Sequence, residues 1–276
     1  MSGVRVIGVA GCGAMGLPMA QRLQGAGFET WGFDVRPAHE FGDFQDRMIA
    51  DPEDFAERAD IVISVVRDRR QTLDLLFDDQ AIMTVAHPPG TLVISSTLSP
   101  RVLPEIAERL PAGTTFADAP MSGAPGRAVD GTLTFMVGAP ADAIAELMPL
   151  LKAMGEEIHH LGDTGTGLTC KVINNFVGVT GVAAVRKALA ASRSLGLDPD
   201  RLLEVMRTSS GSTWFGDNLE RISWAHEGYD PANTIGILEK DVQAFLDAVQ
   251  GMEEVAVDDL AASVLEVIRA LEPLEK

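Results

Sequence analysis

Short apolar runs recur along roughly the first 160 residues: VRVIGVA (4–10), ETWGF (29–33), IVISVV (61–66), TLVISS (91–96), TTFADA (114–119), LTFMVGA (133–139) and EIHHLG (157–162). Runs of this length, rich in Val, Ile and Thr, predict strands. Most are separated by segments with helical spacing, and some helix starts are marked. In DPEDFAERA (51–59), Asp51 can cap, Pro52 suits the first turn and acids follow. Strands alternating with helices predict a largely parallel sheet covered by helices.

After Gly162 the strand-like runs stop and long helical patterns take over. One helix is predicted from about Thr164 to Leu195, a stretch without proline that ends at Gly196. The following GLDPDRLLEVM (196–206) shows a glycine stop, a capping Asp198 and a proline restart. The boundary is expected near residues 162–164, giving an α/β domain over 1–162 and an all-α domain over 163–276.

The segment GVAGCGAMG (8–16) places Gly11, Gly13 and Gly16 in G-x-G-x-x-G spacing, directly after the first strand and at the opening of a helix. The first glycine permits the tight turn. The second lets a pyrophosphate approach the backbone, and the third lets helix and strand pack closely. Cys12, Ala14 and Met15 complete this phosphate-facing loop. A second strand follows, and then Asp34, an acid at the position expected to bind a ribose 2′-hydroxyl. These features predict a Rossmann-type domain that binds a dinucleotide. Asp34 favours NAD; Arg36, two residues on, offers a partner for the 2′-phosphate of NADP.

In GDTGTGLTCKVINNFVG (162–178), Asn174 and Asn175 lie three and four positions after Lys171, so all three share one helical face. Their neighbours Val172, Ile173, Phe176 and Val177 are apolar. Polar heads along a stripe bounded by core residues are costly unless they line a cavity. Burial beside an apolar wall disfavours the charged form of a lysine, which suits it to proton transfer. The competing reading is a lysine that snorkels to the surface, with asparagines bonded to neighbouring helices.

With 276 residues, 46% of them hydrophobic, the chain has ample material for a core. Its 40 acids against 22 Lys and Arg give a formal charge of -18, which repels nucleic acid and anionic membrane surfaces. The N-terminus enters a strand pattern without a basic leader, and no segment reads as a membrane span, so a soluble cytoplasmic protein is expected. Cys12 and Cys170 lack metal-ligand spacing, and adjacent His159 and His160 point to opposite faces of their strand; no metal is assigned.

Four motifs, in this order, resemble the β-hydroxyacid dehydrogenases over about residues 4–245: GVAGCGAMGLPMA, DAPMSGAPGRAVDGTLTFMVG, GTGLTCKVINN and EKDVQAF. The resemblance implies hydride transfer between a nicotinamide cofactor and a short β-hydroxy acid, in a homodimer or homotetramer. It implies Lys171 as proton donor or acceptor and Asn175 as positioner of substrate and lysine. Ser122 and Gly123 would hold the substrate acid group. Thr97, Val65, Val66 and Lys240 would lie at the cofactor. Two departures stand out. SVVRDRR (64–70) replaces the family's usual Leu-Pro pair, and GSTWFGDN (211–218) sets Trp214 and Phe215 where they can form an apolar wall beside the substrate. The same architecture also serves imine reductases, which usually lack the helix lysine. A binding protein without chemistry is the further alternative.

Overall fold

The computed structural model describes residues 5–231 and 233–274, and the chain divides into two compact units, Met1–Lys171 and Val172–Lys276.

In the first unit, strands β1 (Val6–Ala10), β2 (Glu29–Phe33), β3 (Ile61–Ser64), β4 (Thr91–Ile94) and β5 (Thr115–Asp118) run parallel in the order β2-β1-β3-β4-β5. Helix α1 (Gly16–Gly25) crosses between β1 and β2, and α2 (Pro52–Arg58) between β2 and β3. As anticipated, Asp51 caps α2, accepting from the N–H groups of Glu53 and Asp54. A short α3 (Arg69–Leu73) and α4 (Leu103–Arg109) complete the next crossovers.

Beyond β5 the chain reverses. A two-residue strand β6 (Met121–Ser122), helix α5 (Pro125–Asp130), strand β7 (Leu133–Gly138), helix α6 (Ile144–Met154) and strand β8 (Gly155–Gly162) extend the sheet. Strand β7 is antiparallel to β5 and β6 and parallel to β8. The apolar pattern does not announce β6, because its two residues are too few to show a period.

Residues of β1 and β3 alternate between two cores. Ile7, Val9, Ile61 and Ile63 pack with Met19, Leu23, Phe135 and Leu147. Ala10 and Val62, on the opposite face, pack with Phe55, Leu76, Leu92 and Ile106.

Helix α7 (Thr166–Ser194) supplies the spine of the second unit. Its Val172, Phe176, Val179, Val182, Val185 and Leu189 join one core with residues of α8 (Pro199–Arg207), α9 (Trp214–Asn218), α10 (Thr234–Val249) and α11 (Asp258–Arg269). By length and composition α7 meets the test for a membrane span, contrary to the expectation that no segment would. The reason is a dense run of Val, Ala and Gly around few charges. Its buried Arg186 nevertheless donates to the carbonyls of Ala225, Glu227 and Glu272, and its buried valines pack on protein. That is the setting of a core helix.

Candidate active site

The turn after β1 is held from both sides, with Gly11 N–H donating to Phe33 O (2.8 Å) and Val65 N–H to Ala10 O (2.7 Å). Gly11 sits at φ +92°, and a Cβ there would lie 2.8 Å from Val65 O. A Cβ on Gly16 would overlap the carbonyl oxygen of Gly11. Gly13 is different, since a Cβ there meets nothing within 4 Å. Two glycines thus close the turn on itself and the third leaves open room at the head of α1, where a phosphate can approach backbone N–H groups. Ala14 is exposed and Met15 half-buried on the same loop. The Cys12 side chain instead enters the core at 1% exposure, and burial pushes its thiol up to about 12.

Asp34 follows β2, and Arg36 binds it through both carboxylate oxygens, at 3.0 Å from Nε and 3.3 Å from Nη2. Arg36 also donates to Cys12 O (3.0 Å) and lies over the Phe41 ring. The acid and the guanidinium are therefore one unit at the edge of the glycine loop.

Val65 and Val66 are half-buried against Gly11, and Thr97 is half-buried just past β4. Nearby, at the carboxyl ends of β3 and β4, the hydroxyls of Ser64 and Ser96 are buried without a hydrogen-bond partner. Orphaned polar groups of this kind are uncommon in native proteins, and the carboxyl ends of parallel strands are where ligands of open α/β sheets bind. Together with the open face of Gly13 and the Asp34 carboxylate, they fit a bound dinucleotide.

Ser122 ends β6, paired with Thr134, and Gly123 follows at φ +142°; both are half-buried. Four residues before Ser122, Asp118 is fully buried at the end of β5. Its carboxylate accepts from the N–H groups of Gly165 and Leu168, with Oδ2 2.5 Å from the latter nitrogen. Burial pushes its carboxyl up to about 6 despite these bonds. Lys171, one turn beyond Gly167, is 6% exposed.

In the second unit, Asn175 Nδ2 donates to Asp241 Oδ2 at 2.8 Å, and Lys240 Nζ stands 3.4 Å from Asp241 Oδ1. The latter is a charge contact whose geometry is not that of a hydrogen bond, since the same Oδ1 has no hydrogen-bond partner. Asp241 is 8% exposed. Asn174 faces solvent. Trp214 opens α9 and is 57% exposed, while Phe215 is buried and stacks on Trp224.

Asp118, Asp241, Ser64 and Ser96 were not singled out from sequence. Asp118 and Asp241 lie inside the motifs DAPMSG and EKD, and an acid beside a turn or a lysine was the available signal. The serines carried none.

This arrangement defines a class: a glycine-loop dinucleotide fold whose last strand leads into a lysine-bearing helix. Residues 6–162 match the model for the NAD-binding domain of 6-phosphogluconate dehydrogenase, and residues 165–272 match that for the NAD-binding domain of NADP-dependent 3-hydroxyisobutyrate dehydrogenase. The chain is 39% identical over 211 residues to a 3-hydroxyisobutyrate dehydrogenase of Pseudomonas aeruginosa, covering 75% of this chain and 71% of that protein. It is 33% identical over 251 residues to an L-threonate dehydrogenase of Cupriavidus necator, covering 89% and 84%. A crystal structure of a 3-hydroxyisobutyrate dehydrogenase from Salmonella typhimurium superposes with a TM-score of 0.80 at 26% identity, covering 96% of this chain and 93% of that one. The chain belongs to the β-hydroxyacid dehydrogenase family, NAD(P)-dependent oxidoreductases of hydroxy acids.

Proposed function

We propose that this enzyme transfers hydride between a nicotinamide dinucleotide and the carbinol carbon of a short β-hydroxy acid, with Lys171 as general acid and base. The observation that carries this reading is a lysine buried to 6% exposure on α7, one helical turn before an asparagine that Asp241 holds. The nicotinamide, when bound, supplies the hydride acceptor or donor at C4. In oxidation, neutral Lys171 Nζ takes the hydroxyl proton; in reduction, the ammonium returns it to the carbonyl oxygen. Ser122 Oγ and the Gly123 N–H bind the substrate carboxylate, adding hydrogen bonds without a full positive charge. Asn175, its amide oriented by Asp241, fixes substrate and lysine geometry, so that positioning supplies much of the rate.

Gly11, Cys12, Gly13, Ala14, Met15 and Gly16 line the pyrophosphate, with Cys12 contributing its backbone alone. Val65, Val66, Thr97 and Lys240 complete the cofactor contacts. Asp34 favours NAD, and Arg36, already bonded to it, is the residue that would turn toward a 2′-phosphate. Asn174 and Trp214 are assigned to the outer edge of the substrate site, consistent with their exposure. We take residues 1–162 as the cofactor domain and 163–276 as the substrate and assembly domain, although the two compact units divide after Lys171.

The substrate class includes 3-hydroxyisobutyrate and L-threonate, the acids in the names of its relatives. Purified protein supplied with NAD or NADP and each acid tests the reading through nicotinamide reduction; no turnover with any acid despite cofactor binding would favour a binding role. A homodimer or homotetramer is supported by an exposed apolar stripe on α7, where Ile173 (49%), Val177 (67%), Ala184 and Ala191 recur at helical spacing. Light scattering showing one chain per particle would overturn it. A cytoplasmic location is part of this reading, and fractionation of cells tests it.

A further inference from the structure

We infer that Asp118 is a positioning residue for Lys171: its carboxylate fixes the first turns of α7, up to Lys171, on the end of β5 and so places the ammonium that handles the proton. This rests on the reading of Lys171 as the proton-transfer group. Asp118 is at the end of β5, and its two oxygens take the N–H groups of Gly165 and Leu168, donors that helix geometry leaves without an intrahelical partner. The anchoring acid is 47 and 50 residues away in sequence from these partners, so it ties the helix to the sheet rather than capping it locally.

The surroundings of this first turn are close-packed. A Cβ on Gly167 would lie 2.8 Å from Asp118 Oδ2 and 2.9 Å from Gly138 N, and would overlap Met136 O. A Cβ on Gly138 would overlap Asp118 Oδ1 and lie 2.9 Å from Gly167 N. Thr164 Oγ1 adds a third tether, donating to Phe116 O at 2.6 Å. Lys171 is four residues beyond Gly167, so a slide or tilt of this turn moves its side chain directly. Misplacement by about 1 Å costs on the order of a hundredfold in rate.

The test compares Asp118→Asn, Thr164→Val and Lys171→Ala with wild type, using 3-hydroxyisobutyrate and L-threonate with NAD. Ser194→Ala serves as control, since this exposed side chain bonds only within the helix, to Ala190 O. Thr164→Val keeps the carboxylate and offers a milder loosening should the Asn variant fail to fold. Expected are a fall in kcat on the order of ten- to a hundredfold for Asp118→Asn and a smaller one for Thr164→Val. NAD affinity should be unchanged, and the solvent deuterium isotope effect on kcat should rise as proton transfer becomes limiting. Ser194→Ala should match wild type. Wild-type kcat and isotope effect in the two anchor variants, with Lys171→Ala inactive, would overturn the inference alone. So would equal losses in kcat and NAD affinity, which indicate general damage. Activity retained by Lys171→Ala would overturn the reading beneath it.

Discussion

The carboxylate of Asp118 sets two physical effects against each other, and their balance can be measured. Helix N–H groups from Gly165, Gly167 and Leu168 favour its charged form, while full burial opposes it; burial is the larger, and the carboxyl rises from 3.8 to about 6. A carboxyl raised in the folded state contributes stability that is complete below the unfolded value and is lost as pH climbs through the folded one. The whole span is roughly 3 kcal/mol, and on the order of 1 kcal/mol of it falls between pH 5 and 8. The other 39 acids titrate too, so the quantity to follow is a difference: wild type minus Asp118→Asn, by urea unfolding at fixed protein concentration. That difference should shift against wild type by on the order of 1 kcal/mol from pH 5 to pH 8. A flat difference would mean that the helix N–H groups balance burial, and one that moves in favour of wild type that they outweigh it; either would refute the reasoning from burial. The expected sign also says that the ionised anchor costs stability at neutral pH, the behaviour of a group kept for position.

Other consequences are as direct. Gly16→Ala, whose Cβ would overlap Gly11 O, should abolish NAD binding, measured by fluorescence titration, or prevent folding. Cys12, buried with its thiol at about 12, should resist alkylation at pH 8 while half-buried Cys170 reacts, giving one adduct per chain by mass spectrometry. Removing Arg186 leaves the carbonyls of Ala225, Glu227 and Glu272 without their donor; Arg186→Ala should lose on the order of 3 kcal/mol in urea unfolding. Arg36→Ala should leave NAD affinity within a few-fold and weaken NADP, compared by titration of both cofactors.

Much of the first unit was legible because its strands alternate between two cores, as Ile61, Val62 and Ile63 show. The glycine loop was legible because backbone geometry, rather than side-chain identity, makes it. The spacing of Lys171 and Asn175 was visible too, but the partner of Asn175 was not, since Asp241 lies 66 residues away. Asp118 was hidden for a similar reason. In sequence it ends a strand, and only the fold brings the start of α7 onto it. Ser64 ends β3 and Ser96 follows β4 by two residues, both beside apolar runs, and burial of a hydroxyl without a partner is a property no local pattern records. Helix α7 showed the opposite failure, its valines and alanines reading as a core helix and as a span alike.

The central claim is that Lys171 carries the proton of a hydroxy-acid oxidation, and one comparison tests it most directly. Wild type and Lys171→Ala are each given NAD with 3-hydroxyisobutyrate or L-threonate, nicotinamide reduction is followed, and small primary amines are then added to the variant. Turnover by wild type, its loss in the variant despite unchanged NAD binding, and partial recovery with added amine are expected. Turnover by Lys171→Ala at the wild-type rate would contradict the account.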